Sequence, residues 1–318
     1  IAPRTLLRAA ALAAGIALAG SAAAVDNVKM MIPANPGGGW DTTGRELGKA
    51  MLAAGAVKNI QYDNKGGAAG AIGLAQFVSA SKGDPNALMM GGMVMVGGLI
   101  QNKSAVTLDQ VTPIARLTSE YEVIVVPANS PIKDMKDLMA KFKANPGSIS
   151  WGGGSAGGTD HILAGLLAGA VGVEPGKVNY VPFKGGGEAV AAIIGGHVSV
   201  GVSGLSEFAQ HIQSGKMRAL GISSSAKVGN IPSLKEQGYD VELANWRGIF
   251  GAPGITKEQQ AALVKAVEAA TKHASWAETL KKQDWTPYWL AGDAYGAFIQ
   301  SEIKRIGAIL AGLNLGKK

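Results

Sequence analysis

Cysteine is absent from the 318 residues of this chain, and histidine occurs only four times. Without cysteine, the chain has no disulfide bonds, no thiolate metal ligands and no cysteine nucleophile. The four histidines have no close carboxylate partners in the sequence, so we predict no metal site. No Gly-Lys pair is followed by serine or threonine, which excludes a phosphate-binding P-loop. We therefore expect neither a metal nor a cofactor.

Charged residues are sparse, at 17% of the chain, and aromatic residues make up only 6%. Lysine and arginine are scattered and form no runs interleaved with aromatic residues, so we expect no nucleic-acid partner. The formal net charge of +7 indicates instead a mild attraction for anions. Because 47% of the residues are apolar, a chain of this length can form two folded domains with substantial cores.

Beyond the N-terminal segment, no apolar run is long enough to cross a bilayer. Arg4 and Arg8 precede a short apolar stretch at 9–19, and small residues follow it. A charged start, a short apolar middle and an A-x-A exit are typical of a secretory signal peptide. We predict a signal peptide over residues 1–24, cleaved after Ala24, and a periplasmic location. An uncleaved anchor is the alternative.

Glycine is abundant, with 46 residues, and it is clustered. Each cluster interrupts an apolar run that then resumes with helical spacing. Glycine lets backbone N–H groups approach a ligand, and a helix start behind such a loop adds unpaired donors and partial positive charge. Several such loops facing one gap would bind an anion mostly through the main chain. The clusters span residues 36–39, 66–73, 91–98, 152–158, 185–187 and 201–204.

The repeated order of strand, glycine loop and helix predicts an α/β fold with a mainly parallel sheet. In open sheets of this kind, ligands bind at the carboxyl ends of the strands. Two long extended segments, at 114–126 and 246–252, are predicted to be strands that cross between two lobes. Two lobes joined by two crossings can close around a small molecule like a hinge.

Helix signals are clear at three places after residue 129. Ser130-Pro131 is predicted to begin a helix that Asn145-Pro146-Gly147 ends. Two further helices are expected to close the chain. The first begins with a capping-box pattern at Thr256 and Gln259, and the second has an apolar stripe from Tyr295 to Ile306.

The stretch at 151–160 admits three interpretations. Its G-x-G-x-x-G pattern matches a dinucleotide fingerprint, but no acidic residue follows the next strand to bind a ribose. Its G-x-S-x-G pattern centres on Ser155 and matches a nucleophile elbow, for which His197 is the only suitable histidine. We favour the third interpretation, in which Ser155 and Thr159 donate hydroxyl hydrogen bonds to a bound anion. A secreted serine hydrolase is the alternative function, and a scaffold without a ligand is a third.

Several charged residues lie near the glycine loops. Asp41 and Asp160 follow loops at helix starts, where helix capping is the favoured role. Glu120 and Glu122 flank apolar residues on an extended segment, and we expect them to face solvent or the opposite lobe. Arg247 lies beside a crossing segment, where a solvated cation and a ligand contact remain equally open.

Five motifs in a fixed order then indicate a family. They are residues 31–45 (MIPANPGGGWDTTGR), 64–73 (NKGGAAGAIG), 152–161 (GGGSAGGTDH), 180–187 (YVPFKGGG) and 245–248 (NWRG). Together they resemble the periplasmic solute-binding proteins of tripartite tricarboxylate transporters, over essentially the whole chain after residue 24. The NWRG and GGTDH wording is nearest to the branch named for tricarboxylates.

The resemblance implies a two-lobed, Venus-flytrap receptor of the type II-like periplasmic-binding-protein fold, with two crossing strands and no enzymatic activity. It implies one lobe at 25–122 plus 248–318 and another at 123–247. The expected ligand is a small carboxylate, a citrate-like di- or tricarboxylate, which a monomeric receptor delivers to membrane permease subunits. Carried over by matching position, the ligand-binding residues are Gly37, Gly38, Gly39, Trp40, Ala68, Ala69, Gly70, Ser155, Ala156, Gly158, Thr159, Lys184 and Ser203.

Overall fold

The computed structural model describes residues 25–183 and 186–312. The predicted signal peptide and Lys184 therefore lie outside the described residues. Within these ranges the chain alternates strands with helices, as the sequence predicts. The strands are β1 (Asn27–Ile32), β2 (Asn59–Asn64), β3 (Ala87–Gly92), β4 (Thr112–Pro127), β5 (Ser150–Gly153), β6 (Asn179–Pro182), β7 (Val200–Gly204), β8 (Met217–Ile222), β9 (Ala244–Gly251) and β10 (Thr286–Ala291).

Helices follow most of the strands and cover the faces of the sheets. Short 3-10 turns at Ala68–Gly70, Leu108–Gln110, Pro146–Ser148 and Pro175–Lys177 supplement them. The helices are α1 (Gly39–Ala53), α2 (Ala71–Ala80), α3 (Met93–Gln101), α4 (Met135–Ala144), α5 (Thr159–Ala170), α6 (Gly186–Ile194), α7 (Leu205–Gln213), α8 (Lys257–Thr271), α9 (Ala274–Gln283) and α10 (Gly292–Gly312). None of these described helices combines the length and the apolarity needed to cross a bilayer.

Two sheets share one long strand, β4. In the first sheet, β2, β1 and β3 are parallel neighbours, and β9, β4 and β10 extend it in antiparallel pairs. In the second sheet, β5 pairs in parallel with β6 and β7, while β7 and β8 both pair with β4. The parallel cores place several loop and helix starts at the carboxyl edges of the strands, where ligands bind in such folds.

β4 changes sheets along its length. Its residues up to Tyr121 pair with β9, and from Glu122 onward it pairs with β7 and β8. β9 enters from the second sheet, since Leu243 N–H donates to the Ser223 carbonyl at 3.0 Å just before β9 begins. The segment at 114–126 therefore runs between the sheets as predicted, whereas the segment at 246–252 lies in the first sheet and the chain crosses just before it. Nearly every β4 residue is buried, so this strand is also part of the core.

Local signals explain several element boundaries. The predicted capping box of α8 is confirmed, because Thr256 Oγ1 accepts from Gln259 N–H at 3.2 Å and Gln259 Oε1 accepts from Thr256 N–H at 2.9 Å. The predicted start of α4 at Ser130-Pro131 is wrong by four positions. Asp134 Oδ1 accepts from Asp137 N–H at 2.7 Å, so the N-cap is Asp134 and not Ser130.

Two further expectations need correction. The chain closes with three helices and a strand within the described residues, because α9 and β10 separate the two helices that the sequence predicts. The glycines at 91–98 and 201–204 do not form open loops. They lie within β3, α3 and β7, where some of them allow backbones to approach closely.

Candidate functional site

The loop between β1 and α1 is held by one carboxylate. Asp41 Oδ2 accepts from Gly37 N–H at 2.9 Å, and its Oδ1 accepts from Arg45 Nε and Asn64 Nδ2, each at 2.9 Å. Burial raises the pKa of Asp41, but these hydrogen bonds outweigh it and leave the pKa below its usual value. Asp41 therefore binds the loop before the helix. The helix itself begins at an N-cap glycine, Gly38, without a side-chain cap, which leaves its first N–H groups for a ligand.

The loop between β2 and α2 has a constrained backbone. Ala68 and Ala69 adopt φ values of 48° and 53°, in the left-handed region that alanine seldom occupies. Such conformations persist only where the surrounding structure fixes them, and they cluster at functional sites. A Cβ at Gly70 would lie 2.9 Å from the ring of Trp40, so the first two glycine loops pack against each other. Trp40 is 8% exposed.

The loop between β5 and α5 repeats the design of the first. Asp160 Oδ2 accepts from Gly154 N–H at 2.6 Å, and Tyr180 Oη donates to the Gly154 carbonyl at 2.9 Å. Gly157 N–H donates to His161 Nδ1 at 3.1 Å. The N-cap of α5 is again a glycine, Gly158, without a side-chain cap. Thus Asp160, like Asp41, holds the loop, which leaves the first turn of its helix uncapped.

The second and third loops both contact α3, and the first loop joins them through the contact of Trp40 with Gly70. Gly98 has no room for a side chain because the Cβ of Ala69 occupies that space. At the neighbouring position on α3, the carbonyl oxygen of Gly157 occupies the space where Gly97 would carry a Cβ. A Cβ at Gly158 would also lie 3.4 Å from Val94. α3 therefore joins loops from both sheets, in an arrangement in which the sheets are closed on each other.

A buried ion pair lies beside the first loop. Arg247 on β9 pairs with Glu120 on β4, and Arg247 Nη1 donates to Thr43 Oγ1 at 3.3 Å. Its guanidinium also fills the space where a side chain at Gly39 would project. Burial lowers the pKa of Arg247 to about 9. A cation next to the start of α1 adds to the partial positive charge there, so this region favours an anion.

Glu120 is the meeting point of both sheets. Ser206 Oγ on α7 donates to Glu120 Oε2 at 2.9 Å, and Trp285 Nε1 donates to the same oxygen at 3.0 Å. The Arg247 guanidinium lies 5.0 Å from the centre of the Trp285 ring. The expectation that Glu120 and Glu122 face solvent is wrong, because both are buried. The alternative expectation, that these residues face the opposite lobe, holds for Glu120, which accepts from Ser206 on α7. This contact depends on the pairing of the strands and is not visible in the sequence.

Behind the third loop lie the buried carboxyl group of Glu122 and the half-buried carboxyl groups of Asp160 and Glu207. Glu122 contacts Asp160, and Glu207 on α7 accepts a hydrogen bond from Ser203. Burial, and then the charge of Asp160, raise the pKa of Glu122 well above its usual value. Burial likewise raises the pKa of Asp160, although the hydrogen bond from Gly154 N–H opposes this shift. Burial also raises the pKa of Glu207, although the hydrogen bond from Ser203 opposes it. The sequence gives no signal for this group, because its members are far apart in the chain.

The predicted site residues fall into three groups. The members at 37–40, 68–70 and 155–159 lie in the three glycine loops, of which the second and third contact α3 and the first packs on the second. Ser203 lies on β7, and its hydroxyl is already used by Glu207. Lys184 lies outside the described residues. A cavity of about 250 Å³ lies elsewhere, between α3 and α10, and no predicted site residue lines it.

The other chemistries that the sequence suggested receive no support from the contacts. Within residues 25–183 and 186–312, no hydrogen bond joins Ser155 to a histidine, and His161 accepts from the main chain instead. In the same ranges, no group of three His, Asp or Glu residues is placed to hold a metal ion. What the described residues do place together are main-chain donors, hydroxyl groups and one buried guanidinium.

Two sheets that share a crossing strand, with glycine loops between them, define a solute-binding protein of the periplasmic type. The chain matches the model of the "Tripartite tricarboxylate transporter family receptor" over residues 50–315, and it belongs to that family. The family consists of extracytoplasmic solute-binding receptors and not of enzymes, so the serine hydrolase alternative is set aside.

Similar proteins agree with this assignment. BugT from Bordetella pertussis is 27% identical over 290 residues, which are 89% of this chain and 88% of BugT. A Cupriavidus necator relative, "UPF0065 protein in gbd 5'region", is 32% identical over 197 residues, 61% of this chain and 59% of that protein. A TctC solute-binding protein from Polaromonas has a TM-score of 0.67 at 25% identity, over 90% of this chain and 98% of that one. The periplasmic binding protein BugD shares the fold, with a TM-score of 0.79 at 22% identity, over 92% and 99% of the two chains.

Proposed function

We propose that this chain is a periplasmic receptor that binds a citrate-like di- or tricarboxylate between two lobes and delivers it to a tripartite tricarboxylate transporter permease. One observation carries the proposal. Two helices start behind uncapped glycines, one from each sheet; the first loop packs on the second through Trp40, and the second and third loops both contact α3. Uncapped helix starts are binding sites for carboxylates, because their N–H groups and their partial positive charge both favour an anion.

The roles of the loops follow from their chemistry. In this proposal the N–H groups of Gly38, Gly39, Ala68 and Ala69 bind one carboxylate of the ligand, and Trp40 forms a wall beside it. Ser155, Ala156 and Thr159 bind the other end, through main-chain N–H groups and hydroxyl groups. Gly37, Gly70 and Gly158 shape the loops, because their N–H groups already donate within them. Thr159 Oγ1 is buried without a hydrogen-bond partner among the described residues, which leaves it available to a ligand oxygen. The roles of Lys184 and Ser203 rest on the resemblance alone.

Structures of the same fold support a ligand with more than one carboxylate. Two such structures from Rhodopseudomonas palustris, at 23% and 20% identity, contain dicarboxylates: MatC with malate and a second protein with adipate. In this chain the Arg247 guanidinium lies beside Gly39, where it is paired with Glu120. A hydrogen bond to a charged group contributes about 1.5–3 kcal/mol. Three or four such bonds, after the costs of binding, are enough for micromolar affinity, about −8 kcal/mol.

The remaining parts of the proposal concern the whole chain. We assign residues 1–24 to a cleaved signal peptide, residues 25–122 and 248–318 to one lobe, and residues 123–247 to the other. The receptor acts as a monomer. Ligand contacts to both lobes favour the closed form, which is the form that the permease subunits recognise.

A binding panel tests the proposal. Purified protein, freed of copurifying ligand by unfolding and refolding, is titrated calorimetrically with citrate, tricarballylate, malate, succinate, adipate, glutamate, nicotinate and terephthalate. We expect micromolar binding of at least one di- or tricarboxylate and weaker binding of the monocarboxylate nicotinate. Thr159→Val, which removes only the hydroxyl group, should weaken that binding. Absence of binding to every anion, with the refolded protein shown to be folded by circular dichroism, would refute the proposal.

A further inference from the structure

The buried carboxyl group of Glu122 lies beside the half-buried Asp160, directly behind the third glycine loop. Glu122 on β4 is 0% exposed, and its carboxyl group contacts that of Asp160 on α5. Neither oxygen of Glu122 accepts a well-aligned hydrogen bond from an N–H group of the described residues. The amide of Asn245 on β9 lies beside it without full alignment, and the oxygen of that amide is itself unpartnered. An ionised carboxylate at this position would have no well-aligned hydrogen bond to offset the cost of its desolvation.

Two touching carboxyl groups in a buried site cannot both be ionised, so one of them holds a proton. The surroundings decide which one. Asp160 accepts from Gly154 N–H at 2.6 Å, and this hydrogen bond stabilises its ionised form. Glu122 has no comparable donor, and burial raises its pKa well above the usual value, with the charges of Asp160 and Glu207 adding to the effect. The proton therefore belongs to Glu122, which donates to Asp160.

The proton on Glu122 affects the third loop through one side chain, that of Asp160. Asp160 accepts from Glu122 on one side and from Gly154 N–H on the other. Gly154 begins the loop that carries Ser155, Ala156 and the uncapped start of α5. Tyr180 fixes the carbonyl of the same glycine. If Glu122 loses its proton, Asp160 faces a second negative charge and loses a donor, and the loop loses its anchor.

We propose that neutral Glu122 is a positioning residue for the ligand loop: by donating its proton to Asp160 it fixes the Gly154 N–H, so that ligand binding requires this proton. The inference rests on the proposed function for the identity of the ligand. Its sign is fixed by the chemistry. Affinity is full where Glu122 is neutral, and it falls as rising pH removes the proton.

Most other groups around Glu122 do not change charge between neutral and alkaline pH. The effect of the one remaining acid is tested by substitution. Burial lowers the pKa of His161 on α5 to about 4, so this side chain is neutral throughout the neutral and alkaline range. Burial raises the pKa of Tyr180 on β6 well above its usual value, and it stays protonated. Asn245 on β9 does not titrate. Glu207 on α7 is the remaining acid, and it is bonded to Ser203 on β7.

The experiment compares four proteins: wild type, Glu122→Gln, Glu207→Gln and the control Glu302→Gln. Glu302 is also buried, but it accepts from Trp246 and Arg305, away from the loops. Affinity for malate and adipate, both fully ionised above about pH 6.5, is measured by calorimetry from there to about pH 9. Infrared difference spectra at neutral pH record the carbonyl stretch of neutral carboxylic acids in each protein.

We expect wild-type affinity to fall at the pH where Glu122 loses its proton, approaching tenfold per pH unit beyond that point. Infrared spectra repeated over the same pH range show where the neutral-acid band of Glu122 disappears. Glu122→Gln keeps an N–H donor for Asp160, so it should retain the affinity of the wild type at low pH, lose the pH dependence and lose one neutral-acid band. Glu207→Gln and Glu302→Gln should keep both the slope and that band.

Three results would overturn the inference. They are a wild-type affinity that stays constant across the pH at which the Glu122 band disappears, an unchanged slope or unchanged band in Glu122→Gln, and loss of the slope in Glu207→Gln. If no tested carboxylate binds to the wild type at any pH, the proposed function fails instead, and the infrared band alone decides whether Glu122 holds the proton. Glu122→Gln has nearly the shape of the native residue, and its thermal unfolding shows whether it folds.

Discussion

Gly97 and Gly98 are neighbours on α3, yet different parts of the molecule require them. Gly98 faces Ala69 of the second loop, whereas Gly97 faces the carbonyl of Gly157 in the third loop. Neither glycine has a φ value that demands glycine, so the requirement is steric. A contact of this kind depends on a residue far away in sequence, which is why glycine spacing alone predicted a loop here and not a packed helix.

Gly98→Ala tests the contact with the second loop. The added methyl group would overlap the Cβ of Ala69, and overpacking of this kind costs about 1–3 kcal/mol of unfolding free energy. The measurement is urea unfolding of the ligand-free protein. The double variant Gly98→Ala/Ala69→Gly should recover much of the loss, because it vacates the same space.

Gly169→Ala is the matched control, since it lies on α5 with no atom near its missing Cβ. It should stabilise the protein by up to about 1 kcal/mol through helix propensity. If Gly98→Ala behaved like this control, the packing of α3 on the second loop would be refuted.

His161 is a second residue whose environment changes its chemistry. Burial lowers its pKa to about 4, and its Nδ1 accepts from Gly157 N–H. Since the unfolded state has the ordinary pKa of 6.5, unfolding takes up a proton between these two values. The contribution of neutral His161 to stability is complete above pH 6.5 and is lost as pH falls toward 4, by about 3 kcal/mol in total.

His161→Asn should flatten this part of the pH profile, because asparagine offers an acceptor to Gly157 and does not titrate. Unfolding free energies of both proteins, measured in urea from about pH 7 to pH 4, provide the comparison. The slopes matter here and not the absolute values, because the variant also loses the stacking on Tyr180. Parallel profiles for the two proteins would show that His161 is not the titrating group.

At the scale of elements, β4 and β9 are held together by side chains as well as by their backbone ladder. Arg247 and Glu120 lie 127 positions apart, and they pair in the interior where the strands are adjacent. Ser206 and Trp285 bring α7 and the segment before β10 to the same carboxylate. The crossing strands therefore carry a polar junction that stabilises their register.

Arg247→Met should destabilise the protein by about 3–5 kcal/mol, because it leaves the charge of Glu120 buried without its partner. Adding Glu120→Gln should restore much of this stability, since glutamine still accepts from Ser206 and Trp285. Both variants should weaken binding of dicarboxylates more than that of monocarboxylates. Chemical unfolding and calorimetric titration measure the two effects.

Lys257→Met is the control, because the Lys257–Asp293 pair is exposed to solvent and should affect stability little. If the double variant were no more stable than Arg247→Met, the unpaired charge would not be the cause of the loss.

For the whole molecule, the closed arrangement itself is open to test. The carbonyl of Gly157 contacts Gly97 only when the two sheets approach each other at α3. A ligand that touches both sides favours this state, and the ligand-free protein is expected to open. A substitution that blocks only the closed state should therefore separate binding from stability.

Gly97→Ala is such a substitution. In the open state its methyl group should be tolerated and raise helix propensity, so ligand-free stability should be unchanged or slightly higher. In the closed state the methyl group would overlap the Gly157 carbonyl, and we expect affinity to fall about tenfold, which is about 1.4 kcal/mol. Solution X-ray scattering should show compaction by the ligand in the wild type and less in the variant. Equal affinity and equal compaction would contradict the two-state closure.

The sequence by itself determined the features that depend on neighbouring residues. Apolar periodicity and glycine clusters predicted an α/β fold with donor-rich loops, and the Thr256 capping box marked a helix start, because each depends on the conformation of a few consecutive residues. The ordered motifs also indicated the family. The missed α9 and β10 lie in a stretch of weak periodicity, where tertiary pairing of β10 with β4 overrides the local signal.

Only the tertiary structure decided which charges meet. The pairing of Arg247 with Glu120, the contact of Glu122 with Asp160 and the packing of α3 on two loops all join residues that are distant in the chain. Their ionisation depends on burial and on neighbours supplied by other elements, and local spacing carries no record of either. The sequence thus determined the loops, and the fold decided what surrounds them.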